Sequence, residues 1–363
     1  MSDGESAETG IPAPSGRKRR LLNRACFSGV VLMALLAALE LTLRLSGVTF
    51  YPQVITLSAD RNEELAEVVL QADGQLQWVV SPNTLQGTPL AVNSHGMRGR
   101  EIPVSKPDGT TRILCMGDSC TFGARAASPY PAFLEELLSA RFDRSVEVLN
   151  GGVPGHAAHQ GVGLLERYLK FAPDIVVVYY GWNDHWLKTT ALSGPKLPDP
   201  PITDHVLILR GLRLAWERAK ARSAIRKEEE DIDMVTTELR LPPLHYWAML
   251  DEFAVLGERH GFQVVYVTAP SALNREVVRW IIEEQGWAKP ETNLPELHEY
   301  YNNITREIAE DKRAVLVDLA RIFAEQPDDP LIHSDGVHPS EAGHALIAQA
   351  LFEAIEPLLE DAP

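Results

Sequence analysis

Five short apolar runs, separated by longer amphipathic stretches, form the main pattern of the chain. The runs are rich in Val, Ile and Tyr, are bounded by Gly, Asp or Pro, and are too short for helices. Near-continuous apolar runs of this kind are typical of strands buried on both faces of a parallel sheet. The pattern predicts strands at residues 112–116, 146–149, 175–180, 262–267 and 315–319.

The stretches between these runs have helical periodicity. Ser128 before Pro129 is a helix start signal, and Gly261 is a typical helix stop. Alternating strands and helices predict a doubly wound α/β sheet, in which ligands bind at the carboxyl ends of the strands. Helices are predicted after Ser128 and at residues 159–171, 244–260, 271–286, 296–311 and 341–359.

The first fifty residues have a different composition. Residues 1–24 are polar and end in a basic cluster, and an apolar stretch follows at 25–45. That stretch is long enough to cross a bilayer, and its charged residues Glu40 and Arg44 can pair on one helix face. We therefore expect a disordered cytoplasmic tail (1–24), a single-pass transmembrane anchor (25–45) and a stalk and entry segment (46–100), with the rest of the chain outside the cytoplasm. A cleaved signal peptide and a buried soluble helix are the alternatives.

Residues 189–240 interrupt the order of strands and helices and predict an inserted cap region. Within it, residues 206–227 hold seven basic residues and one acidic residue. A cap helix packed over the domain is the first interpretation. A basic amphipathic helix that touches the membrane or an anionic glycan is the alternative.

Charge and cysteine content exclude two classes of protein. The 363 residues carry a formal charge of −16, which disfavours a nucleic-acid binder because such proteins need a basic face. Three cysteines cannot form a disulfide framework. Cys115 is expected to be an inert core residue, and Cys120 a thiol near the site described next.

Four short polar blocks follow predicted strands or precede the last predicted helix, so a doubly wound sheet would gather them at one edge. Each block is a weak signal alone, but all four in this order are a strong one. They are Gly117-Asp118-Ser119, the loop from Asn150 to Gly155, Gly181-Trp182-Asn183-Asp184 and Asp335-Gly336-Val337-His338.

The residue types in these blocks suit nucleophilic catalysis. A serine hydroxyl needs a base, and we expect His338 to deprotonate Ser119 while Asp335 fixes the histidine tautomer. The backbone N–H groups of Ser119 and Gly155 and the side-chain amide of Asn183 are candidate oxyanion donors. Asp118 is expected to be structural.

Other interpretations of single residues stay open. His333, Asp335 and His338 could together hold a metal ion, although serine chemistry already uses two of them. His156 and His159 could line the substrate cleft or be ordinary polar residues at a helix start. We expect no metal and no cofactor.

The four blocks resemble those of the SGNH (GDSL-type) hydrolase family, over about residues 111–359. The resemblance implies a flavodoxin-like three-layer α/β/α sandwich with a five-stranded parallel sheet within residues 101–363, and ester hydrolysis or acyl transfer. The tail, anchor and stalk are similar to those of envelope-associated members. We expect a serine esterase that acts on acyl or acetyl esters of a glycan, a lipid or a small molecule. An O-acyltransferase acting on envelope polysaccharide and a non-catalytic glycan-binding scaffold are the alternatives.

Overall fold

The structure is a computed structural model that describes residues 68–188, 238–326 and 330–360, together with parts of 27–42 and 54–55. The chain divides into two compact units. One comprises Met1–Phe50 and Pro200–Lys220, and the other comprises Tyr51–Asp199 and Ala221–Pro363. The predicted tail, the basic segment 206–227 and most of the insertion lie outside the described residues.

In the first unit, the described residues between 27 and 42 are helical and exposed. Nowhere in the described part of the chain is there a helix with both the length and the apolar composition needed to cross a membrane. The anchor at 25–45 stays a prediction.

The second unit contains two sheets. Their strands are β1 (Val54–Ile55), β2 (Val68–Asp73), β3 (Gln77–Val80), β4 (Thr111–Gly117), β5 (Val146–Gly152), β6 (Ile175–Tyr179), β7 (Gln263–Val267) and β8 (Val315–Val317). Strand β4 lies between β5 and β6 in a five-stranded parallel sheet of order β5-β4-β6-β7-β8, and the other sheet is antiparallel with order β1-β2-β3. The parallel order confirms the predicted doubly wound sheet, whose switch point is at β4.

Helices cover both faces of the parallel sheet and complete the predicted three layers. Along β4, Leu114 and Met116 point into one apolar core, and Ile113 and Cys115 into the other. The first core is closed by helices α3, α4 and α6, and the second by α2 and α8. The described helices of this unit are α1 (Ser119–Phe122), α2 (Tyr130–Arg141), α3 (Ala158–Tyr168), α4 (Pro243–His260), α5 (Arg275–Arg279), α6 (Leu294–Lys312), α7 (Leu319–Ala324) and α8 (Glu341–Glu360).

Residues 68–100, predicted to belong to the stalk and entry segment, are part of the second unit and contribute to its core. Strands β2 and β3 form a hairpin whose alternate side chains enter the first core. Trp78 of β3 donates a hydrogen bond from Nε1 to the carbonyl of Pro154 at 2.9 Å. The hairpin thus reaches the loop after β5, at the carboxyl edge of the parallel sheet.

Candidate active site

Ser119 stands at the carboxyl end of β4, as the first residue of the short helix α1. Asp118 caps this helix, because its Oδ1 accepts a hydrogen bond from the backbone N–H of Cys120 at 2.9 Å. The end of β5 passes so close that a Cβ on Gly152 would lie 2.3 Å from the backbone nitrogen of Phe122. A glycine is therefore required there for the loop of Ser119 to form.

His338 links Ser119 to Asp335. Nε2 of His338 lies 2.8 Å from Oγ of Ser119, and Nδ1 lies 2.7 Å from Oδ2 of Asp335. The other carboxylate oxygen, Oδ1, accepts the backbone N–H groups of Val337 and His338 at 2.9 and 3.0 Å. A hydroxyl, an imidazole and a carboxylate in this order can move a proton from the serine and stabilise the imidazolium that forms.

The surroundings of Asp335 favour its ionised form. Burial opposes ionisation, but the neighbouring His338 and the two backbone N–H donors outweigh burial and hold the pKa of Asp335 below its ordinary value. The Asp335 side chain is only 2% exposed. A charged carboxylate is therefore held in place behind the imidazole.

Gly155, Ser119 and Asn183 lie in the loops that follow β5, β4 and β6. Gly155 has a φ of +79°, a conformation that favours glycine. Among the described residues, nothing accepts a hydrogen bond from the backbone N–H of Ser119 or Gly155. Nδ2 of Asn183 donates to Oδ2 of Asp118 at 2.8 Å, which leaves the second hydrogen of that amide for another acceptor.

Comparison with known proteins identifies the family. A model of the GDSL-like lipase/acylhydrolase family matches residues 115–346. The chain belongs to this family. It is an ester-hydrolysing enzyme, as the resemblance of the four blocks implied.

Three solved structures to which this GDSL-like enzyme is similar are described by their identity, TM-score and coverage. The lipase/acylhydrolase from Enterococcus faecalis is 17% identical with a TM-score of 0.43, over 68% of this chain and 96% of that one. An acetylxylan esterase from Geobacillus stearothermophilus is 20% identical with a TM-score of 0.44, over 68% and 94%. An alpha/beta hydrolase from the metagenome of Lake Arreo is 20% identical with a TM-score of 0.45, over 68% and 95%. No match to a curated protein was found.

Asp184, the last residue of the third block, has a structural position in the GDSL-like enzyme. Its two carboxylate oxygens accept the backbone N–H groups of Ala158 at 2.8 Å and Gly181 at 2.9 Å. Burial raises the pKa of Asp184 to about 7. The carboxyl group ties the loop after β6 to the start of α3 and so fixes the backbone on both sides of Asn183.

Three arginines that the sequence analysis did not single out contact the loops of the site. Nη1 of Arg125 lies 2.9 Å from Oδ2 of Asp335, and Nη1 of Arg240 donates to the carbonyl of Gly155 at 2.7 Å. Arg98 donates to the carbonyl of Phe122, the last residue of α1, and to the carbonyls of Gly123 and Ala126 in the loop that follows. The sequence carried a signal at Arg125 and Arg98, since each of these charged residues stands between small or apolar residues close to a glycine.

The structure also places His156, Cys115 and Cys120, all of which are buried. His156 is fully buried and its Nε2 lies 2.8 Å from the carbonyl of Trp78, so it links the loop after β5 to β3 and does not line a cleft. No group of three or more His, Cys, Asp and Glu side chains among the described residues could hold a metal ion. Cys115 and Cys120 are both buried and free.

Proposed function

We propose that this enzyme is a serine esterase that hydrolyses carboxylic esters through an acyl-enzyme on Ser119. Acyl or acetyl esters of a glycan or a lipid are the proposed substrates. The supporting observation is the unbroken hydrogen-bonded line from Asp335 through His338 to Ser119, with contacts of 2.7 and 2.8 Å. Catalysis by such a line requires that the nucleophile and base lie within hydrogen-bond reach.

In the first half of the reaction, Oγ of Ser119 attacks the ester carbonyl carbon and its proton passes to Nε2 of His338. The carbonyl π electrons move to oxygen, which becomes an oxyanion. Collapse of this intermediate breaks the bond to the alcohol oxygen, which takes the proton from His338. The alcohol leaves and the acyl group stays on Ser119.

The oxyanion needs donors that are fixed before the reaction begins. The free backbone N–H groups of Ser119 and Gly155 and the second amide hydrogen of Asn183 are the proposed donors. Loss of one such donor typically lowers turnover by about 10²–10³-fold. Their loops are held by Asp118, Arg240 and Trp78.

In the second half, a water molecule replaces the alcohol. His338 takes a proton from this water, the resulting hydroxide attacks the acyl carbon, and the second intermediate collapses with return of the proton to Oγ of Ser119. The carboxylic acid is released. The role of Asp335 throughout is to hold the tautomer that presents Nε2 to the serine.

Turnover of p-nitrophenyl acetate by the full chain tests this proposal. We expect Ser119→Ala and His338→Gln to lower kcat by on the order of 10³-fold or more, with unchanged thermal unfolding. Ser94→Ala is the control, since this serine is exposed and bonds only to Glu101 in the described chain. Wild-type turnover by Ser119→Ala would refute the proposal, and acyl transfer to an added oligosaccharide instead of water would replace hydrolysis with transfer.

We also propose that residues 25–45 anchor the enzyme in the membrane, with the catalytic unit outside the cytoplasm. The apolar length and the basic cluster before it support this location. The full chain should sediment with membranes after a high-salt wash, and a variant lacking residues 1–49 should not. Recovery of the full chain in the soluble fraction would refute the anchor.

A further inference from the structure

The carboxylate of Asp335 is shared between two cationic partners. Its Oδ2 accepts from Nδ1 of His338 at 2.7 Å and from Nη1 of Arg125 at 2.9 Å. The side chains of Arg125 and Asp335 are each 2% exposed, so this ion pair is shielded from water. An exposed ion pair contributes little to stability, and the loss of one partner has a small effect. In a buried pair, by contrast, the loss of one partner leaves the other charge buried without compensation.

The loop that carries Arg125 is rigidly held. Arg98 donates from Nη1 to the carbonyl of Gly123 at 2.5 Å and from Nη2 to the carbonyls of Ala126 and Ala127, both at 2.8 Å. These carbonyls flank Arg125 on both sides. The guanidinium of Arg125 therefore reaches Asp335 from a fixed backbone rather than from a mobile loop.

Other ionisable groups face the pair of Asp335 and His338 from the serine loop and from α8. They are Asp118, Cys120 and His344, and His344 in turn interacts electrostatically with His333 and Arg98. Burial raises the pKa of the Cys120 thiol and lowers the pKa of His344 to about 3, so both are neutral near pH 7. Near pH 7 these two side chains therefore add no charge, and Arg125 supplies the positive charge that directly contacts the carboxylate of Asp335.

A second cation on the same oxygen has two consequences. It stabilises the ionised carboxylate even while His338 is neutral, which keeps the acceptor for Nδ1 in place in the resting enzyme. It also shares the negative charge of Asp335 with the imidazolium that forms on His338, so the carboxylate stabilises that imidazolium less than it would without Arg125.

We propose that Arg125 is a positioning residue that pins Oδ2 of Asp335 and limits how strongly this carboxylate stabilises the imidazolium of His338. This inference rests on the proposed function, because it assigns Arg125 a role in the same line of groups. It adds a fourth member, carried by the loop after α1, to that line.

The pH dependence of kcat/KM for p-nitrophenyl acetate tests the inference. In Arg125→Gln, the neutral side chain no longer competes for Asp335, so the acid limb should move to higher pH by about one unit. Turnover should fall by about tenfold at about pH 6 but stay within about threefold of wild type at about pH 9. Arg125→Lys should give an intermediate shift, and it serves as the second variant if Arg125→Gln fails to fold.

Arg167→Gln is the matched control, because Arg167 donates two hydrogen bonds to the carboxylate of Asp73 at the hairpin. Its acid limb should coincide with that of wild type. An unshifted acid limb in both Arg125 variants, or an equal shift in Arg167→Gln, would overturn the inference. Failure of the proposed function is a separate result, since wild type itself would then neither turn over the ester nor react with a fluorophosphonate.

Discussion

Arg98 lies before residues 115–346, which match the family model. Its replacement tests whether this earlier part of the chain holds the loops of the site in place. Its side chain is buried, and all of its hydrogen-bond partners in the described chain are backbone carbonyls. Replacing it by Met keeps an unbranched side chain but removes every donor. The carbonyls belong to Pro89, Phe122, Gly123, Ala126 and Ala127.

The expected loss of stability in Arg98→Met depends on which hydrogen bonds these carbonyls keep. Gly123 O still accepts from the N–H of Ala126 at 3.1 Å, and Phe122 O from Nδ2 of Asn150 at 3.4 Å. Ala126 O has no other donor among the described residues. One buried acceptor without a partner costs about 1–3 kcal/mol, and each weakened site about 1 kcal/mol. Burial also disfavours the charged guanidinium and lowers the pKa of Arg98 to about 10, and the variant no longer has this desolvation cost. We therefore expect the free energy of unfolding to fall by about 3 kcal/mol in total.

Urea unfolding of wild type, Arg98→Met and Arg100→Met measures this difference. Arg100 is two residues away, but its side chain is 52% exposed and its ion pairs with Glu135 and Glu147 are 3.5 and 3.6 Å long. Its replacement should cost less than about 1 kcal/mol. Equal unfolding midpoints for the two variants would refute the view that Arg98 fastens the loop after α1.

Three further predictions concern the site and its pH response. Asp118→Asn should lower kcat by about 10-fold to 100-fold, measured on p-nitrophenyl acetate, because an amide there cannot orient the amide of Asn183 as a carboxylate does; unchanged kcat would contradict this. Arg240→Gln should lower kcat by about tenfold with little change in KM, because the carbonyl of Gly155 loses its 2.7 Å donor; an effect on KM alone would count against it. Unfolding free energy should fall by about 2 kcal/mol per pH unit or more as the pH drops from 6.5 to about 5, since the unfolded state then binds protons that buried histidines exclude. Asp184, whose pKa burial raises to about 7, and Asp118, whose pKa burial also raises, act in the opposite direction, but they are two groups against four histidines. A flat urea midpoint over this range would contradict the prediction. The buried histidines with lowered pKa are His156, His185, His298 and His344.

The parallel sheet could be predicted because its strands are buried on both faces and therefore read as apolar runs. The run at 146–149 was extended by the structure to Val146–Gly152, since glycines carry no apolar signal although they continue the strand. The predicted helix at 271–286 is shorter than expected: α5 ends at Arg279 and continues as a π-helical turn, Trp280–Glu284. A change of helical hydrogen-bond spacing leaves little trace in periodicity.

The hairpin of β2 and β3 left a signal that the sequence analysis did not use. Leu70, Trp78 and Val80 are buried, whereas Gln71 is exposed and Gln77 and Val79 are half-buried. Asp73-Gly74, where the chain turns from β2 to β3, is a turn sequence. Asp73 accepts the N–H groups of Gln75 and Leu76 at 2.9 Å, as turn chemistry leads one to expect.

The arginines around the site could not have been paired from sequence. Arg125 and Asp335 are 210 residues apart, and the partners of Arg98 and Arg240 at the site are backbone carbonyls, which every residue possesses. The four blocks could be recognised in the sequence because a serine nucleophile requires particular residue types around it, namely a base, a carboxylate and donors for the oxyanion. The groups that hold those blocks in place are set by tertiary packing.

Labelling with a fluorophosphonate, followed by mass mapping of the peptides, tests the role of Ser119 most directly. We expect one covalent adduct, on Ser119, that is absent in Ser119→Ala and forms on the order of 10²-fold more slowly in His338→Gln. An adduct on a different residue, or wild-type labelling of Ser119→Ala, would contradict the assignment of the nucleophile.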